Sequence, residues 1–448
     1  MVPLRSMACK LAVSECCTQE SRRLDHDMAS GQPPPSPLRS SKNRMKPVRP
    51  VLIAVLSLAT LASGCGAQTD PGLVVSSDAE LGAMATELLP DLARRSGMEL
   101  RAPVRLEARS RQQLADYLTA KLDDDLPPDE AAARVEAYAL LGLVPEDLDL
   151  RELLLSLYGE QVAGFYEPDS TALYVLDDQP PEALQALLVH ELVHAVQDQS
   201  IDLRSLSDPA GGNDRATAAM AAIEGHATLV MFEYLTEQMT GAPVDLGTIP
   251  DFAGQVGPAL ESMSAQFPAL AGAPRVIRES LIFPYVDGAT FVQRLWTGDV
   301  RVDPFGDALP LSTEQVLSPG AAPPLQLRID VEGARRRLDD TLGQLELRIL
   351  VEDVLGLDAG GADEVVSGWD GDRWVLSERD DGETSLSYVV AWESEGARNR
   401  FVAVVRAAQS AFGGPLEIVE VDVGGRPASL LTVGASGILV TASVEAGG

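Results

Sequence analysis

The sequence predicts an α+β protein in two unequal parts. A mostly helical region with a short β-hairpin comes first, and a smaller α+β region follows. Three observations carry this expectation. Apolar residues recur at helical spacing through much of residues 78–320. Within that stretch stand two short extended runs, "VAGFYE" (162–167) and "ALYVLD" (172–177), joined by the turn "PDS". Beyond the Pro/Gly/Ala-rich segment "SPGAAPP" (318–324), strand-like alternation takes over.

Taken in order, residues 1–44 are Pro/Ser/Arg-rich and unpatterned, and read as a disordered upstream extension. Residues 45–64 read as an export signal. Lys46 and Arg49 form a basic start, Val51 to Leu61 an apolar run, and small residues lead into Cys65. Such signals begin at the initiator, so Met45 is the expected start of translation. Residues 65–77 read as a tether. Helices are expected at 78–96, 109–123, 129–142 and 149–161, with Ser77-Asp78 and Pro128-Asp129 as start signals. After the hairpin, Pro180-Pro181 opens another helix. A Gly/Asp/Pro loop (207–214) leads into a long helix at 214–240, and further helices are expected at 251–270 and 286–297.

The domain boundary is placed at the 318–324 segment, dividing 78–320 from 325–448. In the second part "DRWVLSER" and "TSLSYVVAWE" alternate around "DDG", and a helix is expected at 394–411. Two or three strands follow, from "LEIVEVDV" to "GILVTASV". No chemistry is legible in this part, and there are no internal repeats.

Residues 65–448 carry 26 Lys/Arg against 63 Asp/Glu, a net charge of −37. A surface this acidic repels nucleic acid and anionic lipid headgroups, which excludes nucleic-acid binding as the expected role. All four cysteines lie at or before Cys65, so the body has no disulfide and no thiolate metal ligand. A metal site there must use His, Asp and Glu.

The stretch "LVHELVHAVQDQ" (188–199) supplies such a set. His190 and His194 stand four apart in a segment free of Gly and Pro, so both imidazoles share one helix face and can reach one ion. Glu191 stands beside them, in reach of a water on that ion. Only three histidines occur after residue 65, and two of them hold this spacing. A third ligand has to come from "AAIEGHATLVMFEY" (221–234). Glu224 and His226 are about 200° apart around a helix and cannot both face the ion. Glu224, in a stripe with Met220, Ala227, Thr228 and Met231, is the preferred ligand and His226 the alternative; His226 is otherwise expected to line the cleft or to pack. Asp198, one turn beyond His194, is a candidate to hold its free ring nitrogen. Gln197, Gln199 and "STEQ" (312–315) are expected to cap or pack, with Ser312-Thr313 opening a helix.

"HELVHAVQD" followed by "EGHA" about thirty residues later resembles the gluzincin group of zinc metallopeptidases. The chain is more similar to a poorly characterised set of secreted proteins, through "GFYEP" (164–168), "HELVHAVQDQ" (190–199), "EGHA" (224–227), "PYVDGATF" (284–291) and "STEQ". The resemblance implies a zincin-like fold, a Zn2+ cofactor held by His190, His194 and Glu224, Glu191 as general base, and hydrolysis of a protein or peptide substrate. Tyr285 and His226 are the candidate donors to the oxyanion, and "VAGFYE" a candidate edge for an extended peptide. The competing expectations are a non-catalytic zinc site in an envelope protein and a zinc hydrolase of peptidoglycan cross-links. The ending "LASGC" resembles a bacterial lipoprotein signal, which implies lipidation of Cys65 and attachment to a membrane of the cell envelope.

Overall fold

Local sequence signals open most of the helices, and the computed structural model shows how. It describes residues 7–9, 72–206, 211–249, 254, 267–297, 300–318 and 320–445. A short strand β1 (Met7–Cys9) is followed by β2 (Val74–Ser76) and α1 (Ala79–Ser96). Asp78 caps α1 by accepting from the Glu80 and Leu81 amides. Then come β3 (Val104–Arg109) and α2 (Arg111–Asp125), where Ser110 and Gln113 form a reciprocal capping box. Helices α3 (Pro128–Leu140) and α4 (Leu150–Gln161) lead to the hairpin of β4 (Val162–Glu167) and β5 (Ala172–Leu176). Helix α5 (Pro181–Asp198) opens at its prolines. The long α6 (Asn213–Thr240), α7 (Arg275–Leu295) and the short α8 (Thr313–Leu317), capped by Ser312, complete the first part.

One sheet runs β1-β4-β5-β3-β2. β2, β3 and β5 are mutually parallel, and the hairpin turns β4 antiparallel to β5. Two members of this sheet correct the sequence reading. Val74–Ser76 lies in the expected tether but pairs with Val104–Leu106, and Met7–Cys9, in the stretch expected to be disordered, pairs with β4. Both fill open sheet edges, whose unpaired N–H and C=O groups accept any nearby extended chain regardless of side-chain pattern. Strand β3 also went unforeseen, because "VRLEAR" is charged at every second position and only Val104 and Leu106 are buried. The signal segment, Cys65 and most of the helix expected at 251–270 lie outside the described residues.

The second part begins with β6 (Leu327–Glu332), β7 (Arg335–Asp340), α9 (Gly343–Ile349) and α10 (Ala359–Val366). β8 (Trp369–Glu378) and β9 (Thr384–Trp392) form the expected hairpin around "DDG", and α11 (Glu395–Ala407), β10 (Leu416–Val423), β11 (Arg426–Gly434) and β12 (Leu439–Val444) follow. The antiparallel sheet runs β10-β11-β9-β8-β7, and β12 pairs with β6. Trp369, Trp374, Tyr388, Trp392 and Phe401 fill its core.

The molecule is therefore mixed α and β throughout, but the boundary at 318–324 marks a change of element type rather than a separable body. Leu73–Gly448, with β1, forms one compact unit. The junction is specific. Gly212 offers α6 no side-chain cap, so the second part supplies one: Asp340 accepts from the Asn213 amide (2.6 Å) and Thr341 Oγ1 from the Asp214 amide (3.0 Å). Arg134 of α3 donates to the other Asp340 oxygen at 2.6 Å. Asp214 in turn accepts from the backbone and hydroxyl of Thr313, at 2.8 and 2.6 Å, which gives the "STEQ" segment a packing role.

Helices α6 and α7 meet backbone to backbone. A Cβ on Gly225 would lie 2.1 Å from the Gly288 carbonyl carbon, and one on Gly288 would lie 2.3 Å from the Ala221 carbonyl oxygen. The glycines of "EGHA" and "PYVDGATF" are thus one contact seen from its two sides. Among the described residues no helix is long and apolar enough to cross a membrane.

Candidate metal centre

Helix α5 is apolar on nearly every side: Leu187, Leu188, Val189, Leu192, Val193, Ala195 and Val196 are all buried. Such a helix belongs to the interior, and it carries His190, Glu191 and His194 there with it. Gly164 lets β4 approach α5 closely; a Cβ there would meet the Tyr174 carbonyl oxygen at 2.8 Å and the Leu187 side chain at 3.2 Å. The Gly225–Gly288 contact fixes α6 one residue from Glu224.

His190 Nε2, His194 Nε2 and Glu224 Oε2 converge. The two nitrogens are 3.1 Å apart, and the carboxylate oxygen is 3.1 Å from His190 and 3.3 Å from His194. Ligand atoms about 2.0–2.1 Å from a tetrahedral zinc lie about 3.3 Å from one another. The triangle matches one face of that tetrahedron, and among the described residues this is the cluster of His, Cys, Asp or Glu that could hold a metal ion. Two further observations fit a cation. His190 Nδ1 and Glu224 Oε1 are buried without a hydrogen-bond partner, and such groups are costly unless something outside the chain completes them. Burial alone would raise the Glu224 pKa, but the imidazoles of His194 and His190 overcome it and hold the carboxyl down at about 2. For His194, burial acts downward and is outweighed by the Glu224 and Glu191 carboxylates, which raise it to about 9. His190, where burial dominates, is lowered.

Glu191 is buried, and its Oε2 accepts from the Tyr166 amide at 2.8 Å. Tyr166 is held at its other end, its hydroxyl donating to Asp198 at 2.8 Å. The tyrosine of "GFYEP" therefore ties β4 to the middle and to the C-terminal end of the motif helix. Tyr285, half-buried on α7 just after Pro284, lies with its ring 6.1 Å from the His190 ring.

Three expectations are corrected. Asp198 does not hold the His194 ring nitrogen; it accepts from Tyr166 and from the Leu203 amide (3.2 Å), bracing the end of α5. That nitrogen belongs to Gln197, whose Oε1 is 2.8 Å from His194 Nδ1, so the residue set aside as packing touches the site. His226 neither completes the triangle nor faces a cleft. It is buried edge-on between Trp296 and Phe305, each ring 5.8 Å away, with Nδ1 3.0 Å from Gln197 Nε2. Burial, aided by the positive charges of His194 and Arg301, lowers its pKa to about 4 and keeps the ring neutral. Gln197 and Tyr166 were missed for a simple reason: an amide and a strand tyrosine carry no ligand signature. The i+3 spacing of Gln197 from His194 was the available signal.

Residues 331–440 match the family model described as "Domain of unknown function (DUF8575)". That match covers the second sheet and leaves the histidine helix and Glu224 outside it. No curated protein and no solved structure matches the chain.

Proposed function

We propose that the chain is an exported zinc metallopeptidase of zincin-like type, with His190, His194 and Glu224 as the metal ligands. The observation that carries this reading is the buried Nε2/Nε2/Oε2 triangle with Glu191 fixed beside it. A zinc ion held there would supply a Lewis acid for a substrate carbonyl and acidify bound water. Glu191 is the group to take and return the proton, its carboxylate oriented by the Tyr166 amide at Oε2. Tyr285, on the His190 side, is the candidate donor to the developing oxyanion. Strand β4, bonded to Glu191 through Tyr166, offers the edge for an extended peptide. Met7–Cys9 occupies that edge and lies upstream of Cys65, so removal of the signal and lipidation at Cys65 would free it.

The non-catalytic zinc reading is weaker on one point. A structural zinc site takes four protein ligands, and among the described residues the cluster has three. The test is metal analysis and a peptide-library cleavage assay on wild type and Glu191→Gln. Wild type is expected to carry about one zinc and to cleave; Glu191→Gln is expected to keep the metal and lose about 10²–10⁴-fold in turnover. Metal-free wild type, or a Glu191→Gln protein that cleaves normally, overturns the reading.

A further inference from the structure

All three histidines after residue 65 belong to one hydrogen-bonded path, and its middle link is an amide. We infer that Gln197 and His226 are a positioning pair that fixes the tautomer of the neutral His194 ring, keeping Nδ1 protonated and leaving the Nε2 lone pair for an ion held with His190 and Glu224. This rests on the proposed metal reading of His190, His194 and Glu224.

The Ile223 carbonyl oxygen is a group that can only accept. Gln197 Nε2 is 3.1 Å from the Ile223 carbonyl oxygen, so the amide nitrogen has to stand on that side. Its second N–H meets His226 Nδ1 at 3.0 Å, which makes that nitrogen an acceptor and puts the His226 proton on Nε2. The ring also hydrogen-bonds to the Ser96 backbone. With the amide orientation set, Oε1 is the atom facing His194 Nδ1 at 2.8 Å, and an amide oxygen there requires a proton on Nδ1. In the neutral ring the lone pair is then left on Nε2, the atom 3.3 Å from Glu224 Oε2 and 3.1 Å from His190 Nε2. Flipping the Gln197 amide would set oxygen against the Ile223 oxygen and against the His226 lone pair, and nitrogen against the His194 N–H.

His226 is what makes the arrangement one-sided. An apolar residue there would leave one amide N–H buried without an acceptor, and the amide would be held by the Ile223 bond alone. Trp296 and Phe305 grip the ring edge-on, so the acceptor cannot turn away. His190 has no such support, since its Nδ1 is without a partner. The pair therefore acts on one ligand of the two.

The chain has four histidines in all, so ring ¹⁵N spectra of the histidine-labelled full chain are simple to read. Two readouts are taken together: zinc affinity by chelator competition, and the His194 ring ¹⁵N shifts in the metal-free protein at a pH where that ring is neutral. Gln197→Met, close in length but without hydrogen bonds, is expected to weaken zinc binding by about 10–100-fold and to mix the His194 tautomers. His226→Phe is expected to shift both readouts in the same direction by less. His226→Asn, whose side-chain oxygen can replace Nδ1 as acceptor, is expected to restore them. The inference is overturned if folded Gln197→Met binds zinc within about threefold of wild type, or if His226→Asn is as impaired as His226→Phe, which would mark a packing role. A wild-type chain that takes up no zinc refutes the metal reading instead. In that case the wild-type spectrum still decides the pairing, an Nδ1–H tautomer supporting it and an Nε2–H tautomer ending it.

Discussion

Two carboxylates on one helix, ten residues apart, are buried to the same degree and treated in opposite ways. Asp214, in the first turn of α6, accepts from the backbone and hydroxyl of Thr313. Glu224, in the middle of α6, has only imidazole nitrogens against Oε2 and nothing against Oε1. Burial drives the Asp214 pKa up to about 6, whereas the imidazoles pull Glu224 down to about 2 against the same pressure. Burial alone thus says little about the role of an acid. The kind of partner does: backbone and hydroxyl donors complete Asp214 within the chain, while two imidazoles converging on Oε2 and an orphaned Oε1 leave Glu224 for something the chain does not contain.

Substituting both acids tests that contrast most sharply. Asp214→Ala strands the Thr313 N–H and hydroxyl in the interior and removes the tie between α6 and α8. It is expected to cost about 4 kcal/mol in urea unfolding. Glu224→Ala removes the counter-charge of a buried imidazolium and is expected to cost the metal-free chain up to about 3 kcal/mol at neutral pH, the stability that a folded pKa of about 2 against 4.5 represents. Its zinc affinity should fall by more than the ~100-fold that follows loss of an outer-shell partner. An equal loss of zinc affinity in Asp214→Ala would erase the distinction.

The site was more legible than the fold around it. His190 and His194 could be paired from spacing alone, since a helix turns two residues four apart onto one face. Glu224 could be preferred because its stripe was small and apolar. What spacing could not provide was the partner of each atom. Gln197 reaches His194 Nδ1 because α6 brings the Ile223 carbonyl and His226 to its other end, and neither contact is encoded within α5. The same limit hid β2 and β1, which are strands because β3 and β4 have open edges. It also hid the cap that Asp340 and Thr341 place on α6 from more than 120 residues away. Pattern reads what a residue does to its own element; long-range donors and acceptors lie outside it.

The Asp214 side of the contrast has a pH signature. Its folded pKa, about 6, is above the ordinary 3.8. The associated stability is therefore fully present below the ordinary value and is lost as pH rises through about 6. Two units correspond to at most about 3 kcal/mol. Asp214→Asn keeps a side-chain oxygen for Thr313 and removes the titration. Wild type and variant should therefore differ least at pH 8 if the amide merely replaces the bonds, and the variant should overtake wild type there if deprotonation of Asp214 is the dominant cost. Denaturant midpoints at pH 5 and pH 8 distinguish the cases; a wild-type midpoint that rises across this interval, with the rise lost in Asp214→Asn, contradicts the assignment.

The smallest expected effect arises between the two acids, at Ala221. Gly288 carries no metal ligand and no charge, yet a methyl group there would meet Ala221 O, C and Cα at 2.3, 2.9 and 3.0 Å. All three are backbone atoms, so no rotamer change can relieve the clash and α6 and α7 have to separate. Overpacking of this kind costs about 2 kcal/mol, so Gly288→Ala should still fold. Separation at Ala221 moves α6 three residues from Glu224, which loosens the Nε2/Nε2/Oε2 triangle while the Asp214 junction, a further seven residues away, is held by its own hydrogen bonds. Gly288→Ala is thus expected to weaken zinc binding measurably and to leave the pH dependence of unfolding as in wild type. Equal zinc affinity in the two proteins would mean that the helix contact does not set the position of Glu224.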